Sequence, residues 1–180
     1  MIARSKQRGI FLDRAGVLIR AIVREKRPYA VSKMEEVQIL DGVPEACATL
    51  SSLGYLLVLT TNQPDVARGK ITRSFVDAVN IELSRRLNLD DVEVCDHDDG
   101  DHCICRKPKP GLMVRSAEKL SIDLASSIVV GDRWRDVEAG MNAGCKTVFV
   151  DYGYDEILKA RPDHVAPSLY GAVDWIRSQT

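Results

Sequence analysis

Two aspartates, each closing a short apolar run, carry the chemistry this chain can do. Asp13 follows Gly9-Ile10-Phe11-Leu12, and Asp132 follows Ile128-Val129-Val130-Gly131. Between them in sequence stand two further polar segments, Thr61-Asn62-Gln63 and Arg106-Lys107-Pro108. Together the segments hold carboxylates, a hydroxyl, an amide and cations, a set suited to moving a phosphoryl group with the help of Mg2+. A carboxylate emerging on a turn eased by Gly16 can attack phosphorus and form an aspartyl-phosphate, dividing one hard displacement into two easier ones. Alone, Asp13 reads at least as well as an acid capping a turn. Beside the other three segments it reads as a nucleophile.

Mg2+ prefers one or two carboxylates completed by water and phosphate oxygens. Asp13 and Asp132 provide the carboxylates, and the backbone carbonyl of Ala15 can add an oxygen. Asp136, one helical turn later, either orients metal-bound water or is simply a favourable acid in the first turn of a helix. Thr61, Asn62 and Gln63 offer hydroxyl, amide and backbone N–H groups to phosphate oxygens. Lys107 is a point charge for the transition state, Arg106 a bidentate fork for phosphate, and Arg133 a further substrate-binding candidate. Positioning and charge stabilisation of this kind supply most of the catalysis in phosphoryl transfer.

A second metal is predicted in a separate window, Cys95-Asp96-His97 followed by Cys103-Ile104-Cys105. Three thiolates and one imidazole match a closed tetrahedral Zn2+ site of structural role. His102 rivals His97, but it adjoins Cys103 and unbalances the paired spacing. The intervening loop is acidic and poor in apolar residues, so a metal would have to order it and set Arg106 and Lys107 at the pocket. Cys47 and Cys145 lie in apolar contexts and read as packing residues.

Elements that could position these groups alternate along the chain. Short apolar runs at 9–12, 55–60, 92–95, 128–130 and 147–150 read as strands buried on both faces. Helix-period segments lie between them, with Pro44, Thr72 and Gly144 as start and stop signals. The alternation predicts an α/β fold: a doubly wound, mainly parallel sheet of about five strands with right-handed crossovers. In such a sheet ligands collect beyond the carboxyl ends of the strands, where Asp13, Thr61 and Asp132 fall. No insertion is long enough for a cap domain. The cationic stretch from Arg20 to Glu36 is read either as a flap meeting an anionic substrate or as a solvated loop.

The whole of 1–180 suits one domain, with the metal loop at about 95–105. A net charge of −1 gives no basic stripe for nucleic acid. No apolar run approaches the roughly 18 residues of a membrane span, and no signal peptide is evident. A cytoplasmic monomer acting on a small molecule is the expectation.

These segments, with Ala67-Arg68-Gly69-Lys70, resemble the haloacid dehalogenase-like phosphatases over nearly the whole chain. Within them the likeness is greatest to the D-glycero-D-manno-heptose-1,7-bisphosphate phosphatases. The resemblance implies a Rossmann-like, capless, HAD-like fold with Mg2+ at the reaction centre and structural Zn2+ in the loop. It also implies removal of the C7 phosphate from a phosphorylated sugar. Histidinol-phosphate phosphatases are the nearest rival, and a phosphosugar-binding pseudo-phosphatase is another reading. One departure matters. The family pattern places a general acid/base aspartate where this chain has Ala15. Such a group is typically worth about 10² to 10⁴ in rate, roughly 3 to 5.5 kcal/mol of barrier. Ala15 is therefore either an engineered replacement or a natural variant of weak or altered activity.

Overall fold

In the computed structural model, which describes residues 6–180, the first apolar run becomes β1 (Arg8–Leu12), buried from Gly9 onward. A small hairpin follows, β2 (Ile22–Arg24) and β3 (Arg27–Tyr29), and then α1 (Val43–Ser52) leads to β4 (Tyr55–Asn62). The short α2 (Pro64–Ala67) and the long α3 (Arg73–Leu87) precede β5 (Asp91–Cys95). The second half runs α4 (Gly111–Leu120), β6 (Ile128–Gly131), α5 (Trp134–Ala143), β7 (Lys146–Val150), β8 (His164–Ala166) and α6 (Leu169–Arg177).

The central sheet has the order β5-β4-β1-β6-β7-β8, and every neighbouring pair is parallel. Successive strands are added on one side of β1 as far as β5 and on its other side from β6 onward, so the crevice beyond its carboxyl end is a topological switch point. Side chains alternate across the sheet, which is why its strands are apolar throughout. Leu12, Leu57, Leu59 and Val130 pack with Leu50, Leu83 and Ile176 of α1, α3 and α6. Phe11, Val58 and Val129 face the other way, onto Leu112, Met113 and Ala139 of α4 and α5. Start and stop signals act where the sequence places them: the Thr72 hydroxyl accepts from the Phe75 N–H at 3.1 Å, and Gly144 ends α5 in the left-handed region.

Two features depart from the sequence reading. A sixth strand, β8, joins the edge, and Asp163 just before it accepts the Thr147 N–H at 2.7 Å. The 20–36 stretch is largely the β2–β3 hairpin, and it brings Pro28, Tyr29 and Ala30 to the cleft while its cations do not line it. Among the described residues no helix is long and apolar enough to cross a membrane.

Candidate active site and metal centres

The turn after β1 places the proposed nucleophile. The Asp13 N–H donates to the Val130 carbonyl at 3.0 Å, continuing the β1–β6 ladder by one residue, and the chain then turns so that the Gly16 N–H reaches the Ile19 carbonyl at 2.7 Å. Gly16 has φ +89, and a Cβ there would lie 2.0 Å from Asp132 Oδ2. Only glycine lets the turn approach so closely. Asp13 and Asp132 thereby face each other across the end of β1 and β6.

Asp132 is buried, and neither of its carboxylate oxygens has a hydrogen-bond partner. Burial first, then the charges of Asp13 and Asp136, push its pKa well above the carboxylate range. The Tyr154 phenol lies nearby without making a hydrogen bond of acceptable geometry to it. Asp13, Asp132 and Asp136 offer oxygens within 4.8 Å of one another. Three clustered carboxylates with two orphaned buried oxygens fit a hard divalent cation such as Mg2+, which would satisfy them.

Lys107 closes the opposite side. Its ammonium lies 2.6 Å from Asp13 Oδ1 and 2.6 Å from Asp136 Oδ1, and it donates to the Thr60 carbonyl at 3.0 Å. Burial alone would pull its pKa down, but the two carboxylates outweigh burial and hold it above the ordinary lysine value. Asp136 is itself buried at the start of α5, where it accepts the Arg133 N–H at 3.1 Å. Burial raises its pKa to about 6 against the pull of Lys107.

The remaining predicted residues surround a cleft of about 360 Å³. The Thr61 hydroxyl accepts from Gln63 Nε2 at 2.8 Å, and both residues are buried. Asn62 pairs reciprocally with the Lys107 backbone: its Nδ2 donates to the carbonyl and its Oδ1 accepts the N–H, each at 3.1 Å. Arg106 lines the cleft with its Nε 2.8 Å from Asp99 Oδ1. Arg133 also lines it, but its guanidinium is engaged by Glu156. Ala15 lines it with a methyl group and no polar atom on its side chain.

Sequence reasoning assigned no role to three groups at the mouth. Arg68 is held by Asp98 at 2.6 Å, and Asp99 lies between Arg106 and Arg135, 3.5 Å from the latter. Arg68 falls in a segment that carries the family likeness and Arg135 in the polar segment after β6. The pairing of each with an acid of the metal loop spans some 30 residues or more, so spacing gives no sign of it.

Cys95, His97, Cys103 and Cys105 converge as a second cluster, with ligand atoms within 4.8 Å of one another. Cys95 Sγ is 3.7 Å from Cys103 Sγ and 3.6 Å from His97 Nδ1, and Cys105 Sγ is 3.4 Å from the same nitrogen. Ligands of a tetrahedral Zn2+ stand about 3.5 to 3.8 Å apart, given bonds of about 2.0 to 2.3 Å. All three cysteines are free thiols. The donors therefore fit Zn2+, and His97, not His102, completes the set.

A family model for HAD-hydrolase-like proteins matches residues 104–172. Over 179 residues the chain is 34% identical to the D-glycero-beta-D-manno-heptose-1,7-bisphosphate 7-phosphatase of Yersinia pestis, an alignment spanning 93% of this chain and 88% of that one. The enzyme of the same name from Pasteurella multocida is 36% identical over 159 residues, 82% of this chain and 83% of that one. Among solved structures, the D,D-heptose 1,7-bisphosphate phosphatase of B. bronchiseptica, complexed with magnesium and phosphate, superposes with a TM-score of 0.82 at 28% identity. That match covers 96% of this chain and 99% of that one. The chain belongs to the haloacid dehalogenase-like hydrolases, in the family of the D-glycero-D-manno-heptose-1,7-bisphosphate 7-phosphatases.

Proposed function

We propose that the chain is a Mg2+-dependent phosphatase that acts through Asp13 on a phosphorylated sugar, with D-glycero-D-manno-heptose 1,7-bisphosphate and its C7 phosphate as the preferred target. The observation that carries this reading is the pairing of one reactive carboxylate with two opposed partners. Lys107 holds Asp13 from one side, and Asp132 with its unpartnered oxygens faces it from the other.

Asp13, Asp132 and the Ala15 carbonyl would hold the Mg2+, with Asp136 behind them. When bound, the ion supplies positive charge against the oxygens of the transferring phosphoryl group. Asp13 attacks phosphorus, and Lys107, 2.6 Å from its Oδ1, keeps its carboxylate aimed. Thr61 and the exposed N–H groups after β4 receive phosphate oxygens, while Arg106 and Arg133 exchange their acid partners for substrate anions. The zinc window fixes the loop that carries Arg106 and Lys107, a structural role. Ala15 leaves the sugar oxygen to depart without a donor, so ester hydrolysis is slow in this form.

The test is phosphate release from a substrate panel by the Ala15→Asp form with Mg2+. Heptose bisphosphate should be hydrolysed at least about 10²-fold faster than by the Ala15 form. Preference for histidinol phosphate would reassign the substrate. Tight binding of the bisphosphate with no turnover in either form would make the protein a phosphosugar-binding relative.

A further inference from the structure

We propose that the site with Ala15 selects phosphates whose leaving group departs as a stable anion, acyl phosphates foremost, and that the phosphoryl group then dwells on Asp13. This rests on the reading of Asp13 as nucleophile, and it names a substrate class that the sugar assignment does not.

Apart from Tyr29, the described residues that line the cleft hold no uncommitted proton donor, and Asp132 is given over to the cation site beside Asp13. The residues lining the cleft include no histidine and no cysteine. Asp65 is paired with Arg68 and Lys70, and Asp99 with Arg106 and Arg135. Asp136 is buried against Lys107 and the Arg133 N–H. An ammonium has three protons to donate, and Lys107 already directs its own to Asp13, Asp136 and the Thr60 carbonyl. The Thr61 hydroxyl is buried beneath Gln63, and Tyr29 stands half-exposed on the hairpin.

Leaving-group chemistry then decides what reacts. A sugar alcohol holds its proton far more tightly than a carboxylic acid or a phenol, and its bare alkoxide is a poor leaving group. A carboxylic acid ionises near pKa 4 and a phenol near 10, so their anions leave with little or no help. In the first step a bond forms between an Asp13 oxygen and phosphorus, and the bond from phosphorus to the leaving oxygen breaks. The leaving group carries off that electron pair as a carboxylate or phenolate, and no proton is needed. In the second step a water oxygen bonds to phosphorus, the phosphorus–Asp13 bond breaks, and its electron pair returns to the carboxylate. The water proton must pass to solvent, because position 15 offers no base. The second step is therefore the slow one, and the phosphorylated chain accumulates.

The experiment treats the Ala15 form and Ala15→Asp, each with Mg2+, with acetyl phosphate and a series of aryl phosphates of graded leaving-group basicity. Rapid quenching is followed by intact-mass measurement. The Ala15 form should gain the mass of one phosphoryl group and release a matching burst of leaving group. Its rates should fall steeply with leaving-group basicity, and Ala15→Asp should flatten that dependence. Asp13→Asn should abolish the label. Equal slopes in the two forms, or no label on the Ala15 form from any activated phosphate, would overturn the proposal. A shallow slope in the Ala15 form that steepens in Tyr29→Phe would do the same, by making Tyr29 the donor. If slopes and label behave as stated while Ala15→Asp ignores heptose bisphosphate, the sugar assignment falls and this inference stands.

Discussion

Gly16 and Asp132 meet so closely that a Cβ on the glycine would lie 2.0 Å from the aspartate Oδ2. The contact fixes the turn carrying Asp13 against the end of β6, and the glycine is also at φ +89, a region that strains other residues. Gly16→Ala should therefore lose about 1 to 3 kcal/mol of stability and weaken Mg2+ binding about tenfold or more. Urea melts and calorimetric titration with Mg2+ read the two effects. An unchanged affinity would mean that Asp132 can move aside without cost.

Among the described residues Lys107 is the sole cation between the partly buried carboxylate of Asp13 and the buried one of Asp136. Removing one partner of a buried ion pair costs about 3 to 5 kcal/mol, because the charge left behind is uncompensated. Lys107→Met should show a loss of that size in metal-free urea melts. Saturating Mg2+ should recover part of it, since a ligand bound only by the folded form stabilises it. A loss equal with and without Mg2+ would separate Lys107 from the cation site.

For the cysteine cluster, elemental analysis of metal-replete protein should find one zinc per chain. Cys103→Ser, or chelation, should raise amide exchange through the 95–105 loop while the β1–β4 ladder stays protected. A zinc content near zero would end the assignment.

Asp91 gives a pH dependence independent of either metal. Burial raises its pKa, but hydrogen bonds from Lys119 and Ser116, the latter at 2.6 Å, outweigh burial and leave it below the ordinary value. A carboxyl depressed in the folded state adds stability above its unfolded pKa, near 4, and loses it as pH falls through the folded value. Asp91→Asn should lower stability at pH 7 and flatten the acid limb below about pH 4. Parallel melts at pH 7 and pH 3 check both signs.

The strands that hold the site were legible because both faces are covered, which leaves an unbroken apolar run such as Ile10-Phe11-Leu12. β8 was not. Its three residues, His164, Val165 and Ala166, lie at the edge with Val165 exposed, and His164 is held by stacking on Trp175 at 5.0 Å. The hairpin was equally hidden, since Arg24, Arg27 and Pro28 lack strand alternation and its two strands pair only with each other. Asp13, Lys107 and Asp132 could be picked out because each follows or precedes a recognisable element. What spacing could not convey is which acid answers which base. Asp136 is turned inward to Lys107, and Arg133 outward to Glu156, although the two are three residues apart.

The last residues of β4 carry a further consequence. Asn62 pairs in register with Cys95, the Gln63 N–H donates to the Cys95 carbonyl at 2.6 Å, and the Asn62 amide grips the Lys107 backbone. One strand end thus clasps both ends of the cysteine-rich excursion, like a buckle closing a belt. The tip at Gly100, where a Cβ would meet nothing within 4 Å, has room for a side chain, while Asp98 and Asp99 beside it hold Arg68, Arg106 and Arg135. A side chain added at this tip can accordingly alter the entrance while the phosphate end of the cleft keeps its form.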